Sequence, residues 1–252
     1  MKQIKQRIIL HIPHSVTLIP YRDGYIVDES QLVKEQILLT DWYTDDLFSQ
    51  SNTIAIVTGF SRLFCDVERF SDDSKEEMSE KGMGVLYEKL DDGTTLRNVT
   101  PELRAKIIKN FYEPHQQRLN AAVEIQLKNF GKALILDCHS FPDTPFKRDL
   151  DQNLNRPDFN IGTDSFHTPR ELTETAEQFF KRKEFSVKVD KPYRGTMVPL
   201  KYYKGDANVQ SIMLEINRKL YLQGNTHQKS ENYPKVKGTV RKFIDFLSDT
   251  FL

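Results

Sequence analysis

The sequence predicts an α/β fold, a sandwich of helices around a mainly parallel sheet. Three observations predict it. Short apolar runs recur along the chain, at Arg7–Ile12, Ile54–Thr58, Ala133–Leu136 and Gln210–Ile216. Unbroken runs of this kind suit strands buried on both faces. Helical stretches lie between the runs, the alternation that builds parallel βαβ units. Several runs also end in polar clusters, and ligand chemistry in an open α/β sheet sits beyond the carboxyl ends of its strands. No repeat, low-complexity tract or linker divides the 252 residues, so one domain, 1–252, is expected.

Taken in order, Arg7–Ile12 is the first expected strand, and it runs into His11-Ile12-Pro13-His14-Ser15. Pro13 stiffens the turn and presents His14 and Ser15 at the strand end. Gln31–Phe48 has Leu32, Ile37, Leu39, Trp42 and Leu47 at roughly helical spacing. Asp41 and Asp45 fall four apart inside it and would share a face. Ile54–Thr58 is a second strand. From Ser71 to Asn98 the chain is polar, with Gly82, Gly84 and Gly93, and reads as a long surface excursion and a candidate lid.

Thr100-Pro101-Glu102 starts a helix, an N-cap followed by proline at the first helical position. Leu103, Ile107, Phe111, Leu119 and Val123 carry its apolar face to about Phe130, with a kink or break expected at Pro114. Ala133–Leu136 is the next strand, and Asp143–Phe166 is loop-like. Thr168-Pro169-Arg170-Glu171 reads as a capping box opening a helix to about Arg182. Ser186–Val189 alternates as a strand, Lys191–Gly195 turns, and Gln210–Ile216 is another apolar strand. Pro234–Phe251 closes the chain as an amphipathic helix with Val240, Phe243, Ile244 and Leu247 inward.

Composition excludes several function classes. Lys plus Arg and Asp plus Glu each number 36, so no electrostatic footprint for nucleic acid or an acidic membrane is present. Cys65 and Cys138 sit in apolar runs and make no CxxC, which favours free buried thiols in a reducing compartment. Residues 1–10 are basic, but Ile8-Ile9-Leu10 is too short for a signal peptide or a membrane span. A cytoplasmic protein is expected.

The chain is organised around Lys132–Pro142, KALILDCHSFP. A histidine beside an acid at a strand end, as in Asp137-Cys138-His139-Ser140, serves as metal ligand, base or structural group. Asp66 lies between Arg62 and Arg69 in an apolar run. It either forms an internal ion pair or leaves the arginines free to hold a substrate carboxylate or an oxyanion. Glu215, near the end of a buried strand, needs a partner or a role. His115 fits a core-edge position better than a ligand. Two strand-end histidines, a nearby carboxylate, a strand-end glutamate and arginines form the kind of set zinc hydrolases use. A serine hydrolase on Ser15 or Ser140 lacks the glycine flanks of a G-x-S-x-G elbow.

Seven segments in order carry a resemblance: HIPHS (11–15), TDWYTDDLF (40–48), SRLFCDVERF (61–70), GMGVLY (82–87), LDCHSFP (136–142), KPYRG (191–195) and MLEINRKLYL (213–222). Together they resemble the N-formylglutamate amidohydrolase family. The resemblance implies a zinc carboxypeptidase-like, three-layer α/β sandwich: a mixed, mostly parallel sheet between helices, with one Zn2+ at the strand ends. It implies His14 and His139 as zinc ligands and Asp41 as the third, with His11 and Asp45 as competitors. Glu215 would be the general base and Arg62 the oxyanion partner. Arg69, Arg194 and Ser15 would contact a small N-acyl amino acid substrate, N-formyl-L-glutamate in the first instance. A peptidase or deacylase on another amide, or an inactive binding homologue, are the alternatives. Two positions depart from the pattern: Glu68 stands where asparagine is usual, and Val16 replaces a glycine. A negative charge at Glu68, beside the expected anion clamp, would weaken binding of an acidic substrate.

Overall fold

The computed structural model of the chain describes residues 5–224 and 226–252, so the basic stretch 1–10 is described only from Lys5 onward. Among these residues six strands form one sheet: β1 (Ile9–Ile12), β2 (Ile54–Val57), β3 (Ala133–Phe141), β4 (Phe159–Gly162), β5 (Val187–Val189) and β6 (Val209–Asn217). Their order across the sheet is β2-β1-β3-β6-β4-β5. Strands β2, β1, β3 and β6 run parallel, β4 lies antiparallel on β6, and β5 is parallel to β4. The sheet is therefore mixed and mostly parallel. Six α-helices surround it: α1 (Glu29–Leu39), α2 (Thr44–Leu47), α3 (Pro101–Ile107), α4 (Glu113–Phe130), α5 (Arg170–Lys181) and α6 (Tyr233–Phe251).

Alternation with period two divides each central strand between two cores. Leu10, Ile12, Leu134, Leu136, Ile212 and Leu214 pack with Leu172 and Phe180 of α5 and with Val240 and Phe243 of α6. On the other face Ile9, Ala133, Ile135 and Val209 pack against Leu119, Ala122 and Val123 of α4. Helices thus cover both faces, and the three layers follow. Each fully buried Leu or Phe in these cores contributes about 1.5–3 kcal/mol. On the α4 face the odd-numbered parity continues toward the carboxyl ends as His11, Asp137, His139 and Glu215. Apolar packing at one end of the strands thereby aims polar side chains at the other.

Several elements differ from their sequence reading. β3 does not stop at Leu136 but continues through Phe141, so His139 sits within a strand. Gln31–Phe48 is not one helix. α1 ends at Leu39 and α2 begins at Thr44, with Tyr43 between them at φ 63. Asp41 is buried in that connection while Asp45 is exposed, so the two share no face. Thr168-Pro169-Arg170-Glu171 forms no capping box, because the Thr168 hydroxyl donates to the Ser211 carbonyl instead (2.6 Å). β4 lies inside the stretch read as loop.

At Pro114 the helix adjusts rather than breaks. A π-helical segment, Ile108–Tyr112, joins α3 to α4 just before the residue that cannot donate a backbone hydrogen bond. The 71–98 excursion is packed rather than loose. Val85, Tyr87, Leu96 and Arg97 are all buried, and the Arg97 guanidinium donates to the carbonyls of Tyr87 and Phe64. Among the described residues no helix is long and apolar enough to cross a membrane.

Candidate active site

Strand register assembles the site. His11 lies beside Asp137, and His139 beside Glu215, on neighbouring parallel strands. His14 follows β1 through the Pro13 turn, and the Asp41 amide donates to the His14 carbonyl (3.0 Å). The left-handed backbone at Tyr43 lets the chain leave α1 and still re-enter a helix, which leaves Asp41 at the floor. Four chain segments so converge on the carboxyl end of β1, β3 and β6, where a parallel sheet places its chemistry.

The two histidines are oriented alike. Asp41 Oδ2 lies 3.1 Å from His139 Nδ1 and 3.6 Å from His14 Nδ1. Their Nε2 atoms face other carboxylates. His14 Nε2 is 2.9 Å from Asp66 Oδ1, and His139 Nε2 is 3.0 Å from Glu68 Oε1 and 3.2 Å from Asp137 Oδ1. A metal-ligating histidine characteristically gives its second ring nitrogen to a carboxylate. His14 Nδ1 is buried and has no hydrogen-bond partner. That orphaned nitrogen, the His139 Nδ1 and Asp41 Oδ2 are donor types that zinc takes. The donors that all lie within 4.8 Å of one another are those of His14, His139 and Glu68.

A second convergence involves Glu68. It offers an oxygen within 4.8 Å of His14 and His139 nitrogens, and again with His11 and Asp137. On that side, however, His14 Nε2 already faces Asp66. His11 is fully buried and occupied on both sides, with Nδ1 2.8 Å from Asp137 and Nε2 2.9 Å from His115 Nε2. Asp45 is exposed and does not line the cavity.

The site is rich in acids that could hold a cation. Asp41, Asp66, Glu68, Asp137 and Glu215 crowd around the histidines. Burial opposes charge on His139, but Glu68, Asp137 and Asp41 outweigh it and hold the imidazole well above its usual 6.5. Burial likewise opposes ionisation of Asp41, yet its hydrogen bond to His139 and the nearby His14 and Arg218 hold it far below the carboxylate range. A proton on His139 is the charge that a metal would replace. Glu215 differs: burial pushes its carboxyl up to about 8, with His139 and Arg218 pulling it down and Asp41 and Glu68 pushing it up. Its Oε2 is buried and unpartnered. A carboxyl tuned into this range suits proton transfer near neutral pH.

Comparison with known proteins gives the family and the fold. Residues 6–222 match the family model described as N-formylglutamate amidohydrolase. The chain belongs to that family. In fold it is similar to a crystallised N-formylglutamate amidohydrolase from Ralstonia eutropha JMP134, with a TM-score of 0.83 at 22% identity, covering 98% of this chain and 95% of that one. It is also similar to a gene product of Agrobacterium tumefaciens, with a TM-score of 0.65 at 14% identity over 97% and 90% of the two chains. No curated protein matches.

Within this family member the remaining expected site residues divide. Arg62 lines the cavity but is engaged, its Nη2 3.2 Å from Asp66 Oδ2 and its Nε donating to the Tyr87 hydroxyl (3.1 Å). Of the two sequence readings of Asp66, the structure shows the internal ion pair. Arg69 also lines the cavity and is paired with two carboxylates, its Nη1 3.4 Å from Glu76 and its buried Nε 3.6 Å from Asp66, too far for a hydrogen bond. Arg194 stands 74% exposed at the mouth, 3.3 Å from Glu77. Ser15 does not line the cavity, and its buried hydroxyl has no partner.

Two contacts escaped the sequence reading, Asp66 with His14 and Arg218 with Asp41. Asp66 backs His14 across 52 positions of sequence, so no local spacing announces it. Arg218 donates to Asp41 Oδ1 (2.9 Å) and to the Leu38 carbonyl (2.6 Å), fixing the α1–α2 connection under the site. Its signal was the Glu-x-x-Arg spacing from Glu215, which puts the arginine just past the end of β6.

Proposed function

We propose that this chain is a zinc-dependent amidohydrolase that cleaves the linear amide of an N-acyl amino acid. N-formyl-L-glutamate, hydrolysed to formate and L-glutamate, is its reference substrate. The observation that carries the reading is the pair of buried, unpartnered atoms His14 Nδ1 and Glu215 Oε2, flanking Asp41 and His139. Such groups cost free energy unless a ligand satisfies them. His14, His139 and Asp41 would hold the metal, with Asp66 and Asp137 orienting the rings from behind. A bound zinc ion would polarise the amide carbonyl and bring a water's pKa toward about 7.

The chain's own residues supply the remainder. Glu215 takes a proton from the attacking water and returns it to the leaving nitrogen as the C–N bond breaks. Arg62 stabilises negative charge on the carbonyl oxygen, and Arg69 receives the amino acid's carboxylate. Arg218 holds Asp41 in place. The two free, buried cysteines, Cys65 and Cys138, support a reducing, cytoplasmic setting.

Elemental analysis of purified wild type and His139→Ala, followed by an amide-hydrolysis assay, tests the proposal. We expect about one zinc per chain in wild type and loss of both metal and activity in the variant, since removing one ligand dismantles a three-ligand site. A wild-type protein that takes up no metal even after zinc is added would sink the mechanism.

A further inference from the structure

The apolar stripes that seat α4 on the sheet both end in a histidine. On β1, Ile9 and His11 lie two apart and share a face; on α4, His115 and Leu119 lie four apart and share another. Ile9 and Leu119 belong to one core. Beyond that contact the two histidines meet, both buried, with their Nε2 atoms 2.9 Å apart.

Each ring nitrogen of the pair has a partner. His11 Nδ1 is 2.8 Å from Asp137 Oδ1, and His115 Nδ1 is 3.3 Å from the Thr58 hydroxyl. Asp137 Oδ1 also lies 3.2 Å from His139 Nε2, while its Oδ2 accepts from the Met197 amide (2.8 Å). A carboxylate only accepts, so His11 presents an N–H at Nδ1. Burial pushes the His115 imidazole down to about 2, with the charge on His11 and Arg118 adding to the effect, so His115 is neutral. A neutral ring has one donor and one acceptor nitrogen, and a threonine hydroxyl serves either.

The contrast is His167, which is equally buried. Its ring lies between backbone groups, Nδ1 2.7 Å from the Val209 carbonyl and Nε2 accepting from the Lys204 amide (2.8 Å), and leads nowhere. The contacts of His115 lead instead to a carboxylate of the site.

We infer that His11 and His115 are positioning residues, the outer links of a hydrogen-bonded chain that runs through Asp137 and fixes the ring of His139. The role of the chain rests on the zinc reading, in which His139 is a ligand. His115 sets the rotation and the tautomer of His11, His11 holds Asp137 Oδ1 in place, and Asp137 orients His139 from behind. Partners behind a ligating histidine tune how well it binds metal.

Zinc affinity is measured by competition with a chelating dye. His115→Leu offers His11 no polar atom, and its affinity is expected to fall about tenfold. His115→Gln, which can donate or accept, is expected to restore it. Asp137→Asn is expected to cost about 10–100-fold, and adding His115→Leu to it nothing more, because both act through one carboxylate. Unchanged affinity in His115→Leu, or additive losses in the double variant, overturns the inference. So does a second zinc per chain that His11→Gln removes, since His11 would then be a ligand.

Ring 15N shifts of the metal-free protein test the chain apart from the metal. His11 is expected to carry a proton on Nδ1 in wild type and His115→Gln, and a mixture of tautomers in His115→Leu. A wild-type His11 without that proton overturns the chain, even should His115→Leu fail to fold. If wild type binds no zinc, the amidohydrolase mechanism falls, and these shifts alone retain or remove the chain.

Discussion

The two ring nitrogens of His14 have opposite surroundings, one against Asp66 and one with no partner, and that asymmetry makes the site testable residue by residue. Asp66 is fully buried and accepts from the Tyr87 hydroxyl (2.7 Å) and the Glu68 amide (3.1 Å) as well as facing His14 and Arg62. If it orients a metal ligand, Asp66→Asn should weaken zinc binding about 10–100-fold, as loss of an outer carboxylate does. Competition with a chelating dye measures this, and thermal unfolding of the same variant reports the loss of the Arg62 pair separately. Unchanged zinc affinity in a destabilised variant would leave Asp66 purely structural. At this scale the sequence marked His14, His139 and Glu215 beside apolar runs, but His139 and Glu215 lie inside β3 and β6 rather than beyond their ends. Asp66 was legible as an arginine partner but not as a histidine partner, because that contact is set by tertiary approach alone. Glu68 reads differently in three dimensions too: it faces His139, His14 and His11 at 3.0–3.5 Å rather than only flanking Arg69.

At the scale of elements, the strands buried on both faces were the easiest to read, because an unbroken apolar run has few other uses in a chain of this composition. β4 was missed because Phe159–Gly162 is only four residues and sits amid polar turns. Its place depends on a close approach that no local pattern encodes. A Cβ at Gly162 would lie 2.3 Å from the Gly195 carbonyl oxygen and as close to the Met213 side chain. Glycine there lets the 191–195 turn seat over the antiparallel pair β4–β6, where Asn160 opposes Glu215. Gly162→Ala should therefore destabilise the fold by about 1–3 kcal/mol, the usual cost of forced overpacking. For a chain of this size that is a fall in Tm of roughly 2–4 °C per kcal/mol. Gly59→Ala is the control, since a Cβ there meets nothing within 4 Å. Equal melting temperatures for the two variants would refute the close-approach argument. The α1–α2 break was hidden for a related reason: the apolar spacing from Leu32 to Leu47 stays roughly helical across it, while Arg218 and the His14 carbonyl, far away in sequence, dictate the interruption.

Across the whole molecule, the cavity wall depends on polar clamps that join segments distant in sequence, and these were the least legible feature. Glu35 on α1 is the centre of one. Its carboxylate lies 2.8 Å from Arg148 Nη2 and accepts from the Asp91 amide (2.9 Å), while Arg148 also donates to the Lys89 carbonyl (2.7 Å). Helix α1, the 71–98 excursion and the loop after β3 meet there, just behind Phe146 of the cavity. Its acids and bases look like ordinary surface charges in the sequence, and only the packing buries them. Burial pushes the Glu35 carboxyl up to about 7 from its usual 4.5, although Arg148 pulls it down. The folded chain therefore binds more protons than the unfolded chain between those values, so stability falls as pH rises through that window. The cost is absent below pH 4.5, where both states are protonated, and complete above pH 7, where both are ionised. A shift of this size corresponds to about 3 kcal/mol. Glu35→Gln removes the titration, so its stability relative to wild type should climb from pH 4.5 to about 7 and then level off, read from denaturant unfolding at a series of pH values. Its starting level reports the Arg148 contact and its slope reports Glu35 alone. A difference that stays flat across the window would mean that Glu35 ionises normally in the folded protein, and that the Arg148 pair fully offsets its burial.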